Sequence, residues 1–264
     1  MSEDGYLLDN RQVEAGERFA ALAELFDPWT QQHLINAGVR PGARCWEVGA
    51  GGPSLPQWLA EQVGAAGYVV ATDIDTSWLT ADAAYDVERH DVAGDPPPGG
   101  GPFDVIHARL VLVHVPQRDA ALRTMISALA PGGVLLLEDA DPALQPLLCP
   151  DERTPEEALA NRLRNGFREL MAARGADLAF GRTLPRLLRE AGLRDVRSDA
   201  YFPISGPACI ALESATVRQI RDQLLSADLA TSEEIERHLD AVESGRLDLT
   251  TAPLISAWGR ATGI

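Results

Sequence analysis

The chain has 264 residues, 45% hydrophobic and 23% charged, enough for one large α/β domain or two small ones. All 23 basic residues are arginine against 39 acids, and the formal net charge of −16 argues against nucleic acid or anionic lipid as a partner. The three cysteines, Cys45, Cys149 and Cys209, are far apart with no metal-ligand spacing, so reduced thiols, no metal centre and a cytoplasmic location are expected.

The opening MSEDGYLLDN has neither a basic region nor an apolar run, so no signal peptide is expected. No apolar stretch reaches membrane-spanning length, so no membrane partner is expected either. Residues 13–27 place apolar side chains at helical spacing, and 28–38 read as a second helix starting at Pro28 and ending at Gly38. From residue 44 the pattern changes. RCWEV (44–48) is a short apolar run ending at glycines, followed by a helix over 54–64. GYVVATDID (67–75) and YDVERHDV (85–92) read as the second and third strands. A Pro/Gly linker (94–102) leads to a fourth strand (103–112), a helix with a glycine stop (118–133) and a fifth strand (134–141). The second half offers a long helix (154–175), a helix (183–193), a sixth strand (194–204), two helices within 213–243 and a last strand (251–263).

Apolar strands alternating with helices predict a doubly wound, Rossmann-like parallel sheet. The expected organisation is a single domain. Residues 1–40 form an N-terminal helical lid and 41–140 the ligand-binding core. Residues 141–182 and 208–248 are cap insertions, and 183–207 and 249–264 complete the sheet. Insertions on the ligand edge favour a closed pocket for a small molecule, and a homodimer face is the alternative use of these helices.

CWEVGAGGPS (45–54) carries the functional signal. Gly49 and Gly51 remove side chains where a ligand would lie, and the amides opening the next helix point at it. A dinucleotide would want G-x-G-x-x-G, and Gly49, Gly51 and Ser54 give G-x-G-x-x-S. Glu47 repels phosphate and suits a ligand with an ammonium group. S-adenosylmethionine (SAM) has an ammonium, a sulfonium and a ribose but no phosphate. Asp73 closes the second strand, where a carboxylate can accept both hydroxyls of a ribose, although NAD sites use an acid similarly. Asp91, at the end of the third strand, can accept from an adenine amino group.

EVGAGGP resembles the E/D-x-G-x-G-x-G motif of class I SAM-dependent methyltransferases. VVATDIDTSWL, HDV, FDVIHARLVLVHVP and LAPGGVLLLED resemble the segments that follow it in that family, in the same order, over about 45–140. Pro53 stands where a third glycine is expected, which predicts a slightly reshaped loop. The flanks are similar, more loosely, to actinobacterial small-molecule methyltransferases. The resemblance implies a seven-stranded sheet with the last strand antiparallel, SAM as cofactor and S-adenosylhomocysteine (SAH) as product. It implies that Glu47, Gly49, Ala50 and Gly51 hold the methionine part and that Asp73 and Ile74 bracket the ribose. Trp78 or Leu79 would lie against adenine, Asp91 and Val92 at its edge, and Ala108 and Arg109 near the sulfur. Tyr6 would close over the cofactor.

In methyl transfer the cofactor supplies the electrophile, so the protein mainly aligns the partners and excludes water. His107 and His114 flank the end of the fourth strand and are the candidate bases, against the plainer reading that each has a structural partner. Asp139 and Tyr201 are candidate acceptor-side residues. HARL after the fourth strand lacks the Asn/Asp-Pro-Pro-Tyr/Phe sequence of enzymes that methylate amino groups of nucleic-acid bases or glutamine. The expectation is a methyltransferase acting on O, N or C of a small organic acceptor in specialised metabolism. The alternative is a SAM-binding enzyme that does not methylate, such as a cyclase on the same scaffold. An NAD-dependent oxidoreductase and a macromolecule methyltransferase are weaker readings, opposed by Glu47 and by the net charge.

Overall fold

The computed structural model describes residues 13–79 and 84–262. The chain divides into two compact units. One comprises Phe26–Ala140, Phe180–Tyr201 and Leu254–Ile264 and contains the whole sheet. The other comprises Met1–Leu25, Asp141–Ala179 and Phe202–Pro253 and is helical.

Seven strands form the sheet: β1 (Arg44–Val48), β2 (Tyr68–Asp73), β3 (Asp86–Arg89), β4 (Phe103–Arg109), β5 (Leu129–Ala140), β6 (Arg194–Tyr201) and β7 (Leu254–Arg260). Their spatial order is β3-β2-β1-β4-β5-β7-β6. β1 to β5 run parallel, and β7 inserts antiparallel to both β5 and β6. This is the doubly wound sheet with an antiparallel last strand that the sequence predicts. The order in which strands are added reverses between β1 and β4, and in such sheets ligands bind beyond the C-terminal strand ends at that point.

Alternation along the central strands builds two cores. Trp46, Val48, Ile106, Ala108, Leu135 and Leu137 face α3 (Arg118–Ser127) and α5 (Leu184–Glu190). Cys45, Ala71, Val105, Val134 and Leu136 face α2 (Ser54–Val63) and the C-terminal half of α1 (Val13–Ala37), through Leu55, Leu59, Val63, Leu34 and Ala37. Both faces are covered, which is why these strands read as continuous apolar runs.

Three elements differ from the sequence reading. The two helices expected on either side of Pro28 are one, α1, with Pro28 inside it. Proline lacks the N–H and crowds the preceding turn, yet residues next to it are anchored: Asp27 to Arg109 and Ser54, Thr30 to Glu138 and Arg109. α3 stops at Ser127 and β5 begins at Leu129, so the APGG stretch lies within the strand as an irregularity opposite Phe103–Val105. A Cβ on Gly133 would lie 2.8 Å from the Phe103 carbonyl oxygen and 3.0 Å from that of Ala130, so backbone approach demands glycine there. The two helices expected within 213–243 are three: α6 (Pro207–Gln219), α7 (Arg221–Ser226) and α8 (Ser232–Glu243).

In the helical unit, α4 (Pro155–Ala173) and α8 each begin with a capping box, Thr154 with Glu157 and Thr231 with Glu234. Leu159, Leu163, Ile220, Leu224 and Ile235 form one apolar core, and Leu148, Cys149, Cys209, Val242 and Leu249 another. Between helices, Glu213 accepts from Arg164 at 2.8 Å and is bonded to His238 Nε2 at 3.0 Å. No helix among the described residues is long and apolar enough to cross a membrane.

Candidate cofactor site

The loop after β1 turns on two glycines in left-handed backbone, Gly49 at φ 62° and Gly51 at φ 63°. A Cβ on Gly49 would lie 2.4 Å from Val111 Cγ2, so glycine is required by space as well as by backbone. The Ala50 N–H donates to the Thr72 carbonyl at 3.0 Å, tying the loop to β2. Pro53 takes the N-cap position of α2 and offers no side-chain cap.

Asp73 closes β2 beside this loop. Its Oδ2 accepts the Gly51 N–H at 2.9 Å and its Oδ1 the Asp75 N–H at 3.0 Å. Each oxygen keeps a second lone pair for a further donor. Burial raises its pKa, against these backbone bonds, so a donor reaching it meets a poorly solvated carboxylate. Ile74 follows it and is 47% exposed. Trp78 is half-buried and Leu79 buried in the turns after it.

After β3 the chain turns at Asp91, whose Oδ1 accepts the Ala93 N–H at 3.0 Å, while its own N–H donates to Asp95 at 2.8 Å. Asp91 is exposed, whereas Val92 is buried in the core. Ala108 is buried in the core on the α3 side, and Arg109 turns to α1, donating to Asp27 at 2.7 Å and to Thr30 at 2.9 Å. Leu110 then adopts φ 57°, a strained conformation for a branched side chain, and places Val111 against Gly49.

His107 does not sit as a base should. It is buried, with Nδ1 2.8 Å from Glu47 Oε2 and Nε2 3.3 Å from Glu138 Oε2. Burial disfavours its charge, but Glu47 and Glu138 outweigh burial and hold its pKa at about 9. An imidazolium with both nitrogens engaged has no lone pair for a substrate proton, which favours the plainer reading that His107 has structural partners. Glu138 is held low, at about 2, because its bonds to His107 and Ser256 and the charge of Arg109 overcome its burial. Glu47 moves up, burial outweighing His107.

His114 is half-buried in the short turn Leu112–His114 that follows. Beside it, Asp139 at the end of β5 accepts the Val113 N–H on Oδ2 at 3.3 Å, and its buried Oδ1 has no partner among the described residues. Burial pushes its pKa to about 8. Tyr201, at the end of β6, stacks on Trp29 with centroids 5.2 Å apart. Tyr6 lies outside the described residues.

The ends of β1 and β2 thus place Glu47, Gly49, Ala50, Gly51 and Asp73 close together. Sequence reasoning missed Asp27, Thr30 and Glu138, which bond to Ser54, Arg109 and His107 around this group. Their only trace in the sequence was polar residues at positions where an apolar face was otherwise continuous.

The fold and loop define a class: a doubly wound sheet that receives a nucleoside-containing ligand at its switch point. A family model described as a methyltransferase domain matches residues 18–198, and the chain belongs to the class I SAM-dependent methyltransferase family. Among relatives, the ubiquinone/menaquinone biosynthesis C-methyltransferase UbiE of Vibrio parahaemolyticus is 35% identical over 129 residues, 45% of this chain and 50% of that protein. Phosphoethanolamine N-methyltransferase 1 of Arabidopsis thaliana is 24% identical over 187 residues, covering 66% of this chain and 34% of that protein. The chain spans about half the length of the first of these relatives. In fold, it is similar to the Haemonchus contortus phosphoethanolamine N-methyltransferase 2 crystallised with phosphomonomethylethanolamine and SAH, with a TM-score of 0.56 at 15% identity, over 100% of this chain and 61% of that one. It is also similar to the YcgJ protein of Bacillus subtilis, with a TM-score of 0.54 at 13% identity, over 89% and 98% of the two chains.

Proposed function

We propose that this chain transfers a methyl group from SAM to an O, N or C atom of a small organic acceptor in specialised metabolism. The observation that carries the reading is Asp73, a buried carboxylate pre-oriented by the Gly51 and Asp75 amides at the end of β2, beside a glycine loop flanked by Glu47. This pair of acceptors fits a ribose diol and an ammonium group, which donate. It does not fit a pyrophosphate, because two acids flank the loop and Arg109, the cation ending β4, is engaged by Asp27 and Thr30. SAM, when bound, supplies an electrophilic methyl carbon on a sulfonium.

The chain's own residues bind and orient. Asp73 accepts the ribose hydroxyls, Glu47 receives the ammonium group, and the Gly49–Gly52 backbone lets the methionine part approach. The turn carrying His114 and the end of β5 carrying Asp139 form the acceptor side, where His114 is the candidate to take a proton. The relatives' names include a C-methyltransferase and an N-methyltransferase, so neither atom is excluded by family.

Calorimetric titration with SAM, SAH and NAD tests the reading. SAM and SAH should bind and NAD should not. Asp73→Ala should weaken both ligands at least about tenfold, the loss of about 1.4 kcal/mol expected for a charge-assisted bond. Binding of NAD, or of neither SAM nor SAH, would overturn it.

A further inference from the structure

Glu47, His107, Glu138 and Ser256 form a row of buried polar side chains across the sheet, with the exposed Asp199 at its β6 end. In the strand register Glu47 of β1 stands beside His107 of β4. Glu138 of β5 stands beside Ser256 of β7, which stands beside Asp199 of β6. His107 bridges the two halves, its ring nitrogens reaching Glu47 and Glu138. Glu138 is enclosed further. It accepts the hydroxyls of Thr30 and, at 2.6 Å, of Ser256, and His33 Nδ1 lies 3.7 Å away. His33 in turn meets Asp199 at 3.1 Å. Thr30 also receives Arg109, whose other amine donates to Asp27, and Asp27 accepts from Ser54, the first residue of α2.

Stability alone does not account for this row. Buried ion pairs seldom improve on well-packed apolar residues, because desolvation offsets the attraction. A neutral imidazole would donate to only one of its two carboxylate neighbours and turn a lone pair toward the other. With both nitrogens protonated, His107 satisfies Glu47 and Glu138 together, in keeping with its raised pKa. What the row does have is placement, since Glu47 precedes Gly49 by two residues.

We propose that His107 is a positioning residue. By holding Glu47 from one side and Glu138 from the other, it fixes the Glu47 carboxylate before the glycine loop in the orientation that receives the cofactor's ammonium group, and it ties that carboxylate to α1 through Glu138 and Thr30. This rests on the SAM reading above. The charged and titratable groups that face the row are Glu47 on β1, Arg109 on β4, Glu138 on β5, Asp199 on β6, and Asp27 and His33 on α1.

The experiment measures SAH affinity by calorimetry for the wild-type chain, His107→Gln and Glu213→Gln, with nitrogen NMR of the histidine rings at pH 7.5. Glu213→Gln disturbs a buried bond in the helical unit and serves as the control for general loosening. His107→Gln should bind SAH at least about tenfold more weakly, and Glu213→Gln within about twofold of wild type. The NMR signals lost in His107→Gln should be those of an imidazolium. A neutral His107 ring at pH 7.5 would overturn the proposal, as would unchanged SAH affinity in His107→Gln. Lost turnover with intact SAH binding would also overturn it, by returning His107 to the reaction. If wild type itself binds neither SAM nor SAH, the SAM reading fails first, and this proposal with it. Should His107→Gln not fold, Glu138→Gln replaces it. That variant should lower both the His107 titration midpoint and the SAH affinity, and an unchanged value of both overturns the proposal.

Discussion

Asp139 ends β5 with one oxygen on the Val113 N–H and the other buried without a partner among the described residues. A carboxylate in that setting is costly, and protonation is the relief, which is why its pKa rises to about 8. Its folded pKa lies above its unfolded value. The stability it contributes is therefore whole below about pH 4 and is lost as pH rises toward 8. Across pH 6 to 7.5 the loss from this one residue approaches about 1.4 kcal/mol per pH unit. Asp139→Asn keeps the acceptor for Val113 and cannot ionise, so its urea midpoint should change much less over that range than that of wild type. An equal slope in both proteins would show that Asp139 is already ionised at neutral pH. At the same scale, the place of Asp73 beside the glycine loop was legible, because it ends an apolar run that the next strand follows in the sheet. The role of His107 was not legible, because its partners lie 60 and 31 residues away.

Among the elements, α1 shows how anchoring overrides local preference. Pro28 marks a helix boundary by its chemistry, but Asp27 and Thr30 on either side are bonded to other elements of the sheet unit, and the helix continues. In the helical unit α4, α6 and α8 are joined by Arg164, Glu213 and His238. Burial alone would raise the pKa of Glu213, but Arg164 and His238 outweigh it and the carboxyl stays below its usual range. That contribution is present above the unfolded carboxylate pKa and is lost as pH falls through the folded value. Glu213→Gln should cost about 2 kcal/mol at pH 7, the loss of charged hydrogen bonds to groups that remain buried. Urea denaturation followed by far-ultraviolet circular dichroism measures it, and a cost near zero would mean that the helices hold together by Leu159, Leu163 and Ile235 alone.

For the molecule as a whole, the opposing shifts combine into one pH profile. Glu138 and Glu213 are depressed, so their stabilisation fades toward acid. Asp139 and His107 are raised, to about 8 and about 9, so theirs fades toward alkali, Asp139 from about pH 4 and His107 from about pH 6.5 upward. A net charge of −16 adds self-repulsion on the alkaline side. All five tryptophans, Trp29, Trp46, Trp58, Trp78 and Trp258, lie in the sheet unit, so their fluorescence reports that unit. Its urea midpoint should be highest between about pH 4.5 and 5 and fall most steeply between about pH 6.5 and 8, where both raised groups titrate. A midpoint flat from pH 6 to 9 would mean that neither Asp139 nor His107 holds its proton as the buried geometry requires.

The sequence by itself determined the sheet, its glycine loop and the family. Those features are local: apolar runs set the strands, a glycine pair sets the turn, and an acid closes the second strand beside it. Tertiary structure alone decided that α1 is a single helix, that Arg109 turns to Asp27 and that His107 lies between Glu47 and Glu138. The reason is physical. A buried charge takes its meaning from the groups packed against it, and here those groups come from β1, β4, β5, β7 and α1, which only folding brings together.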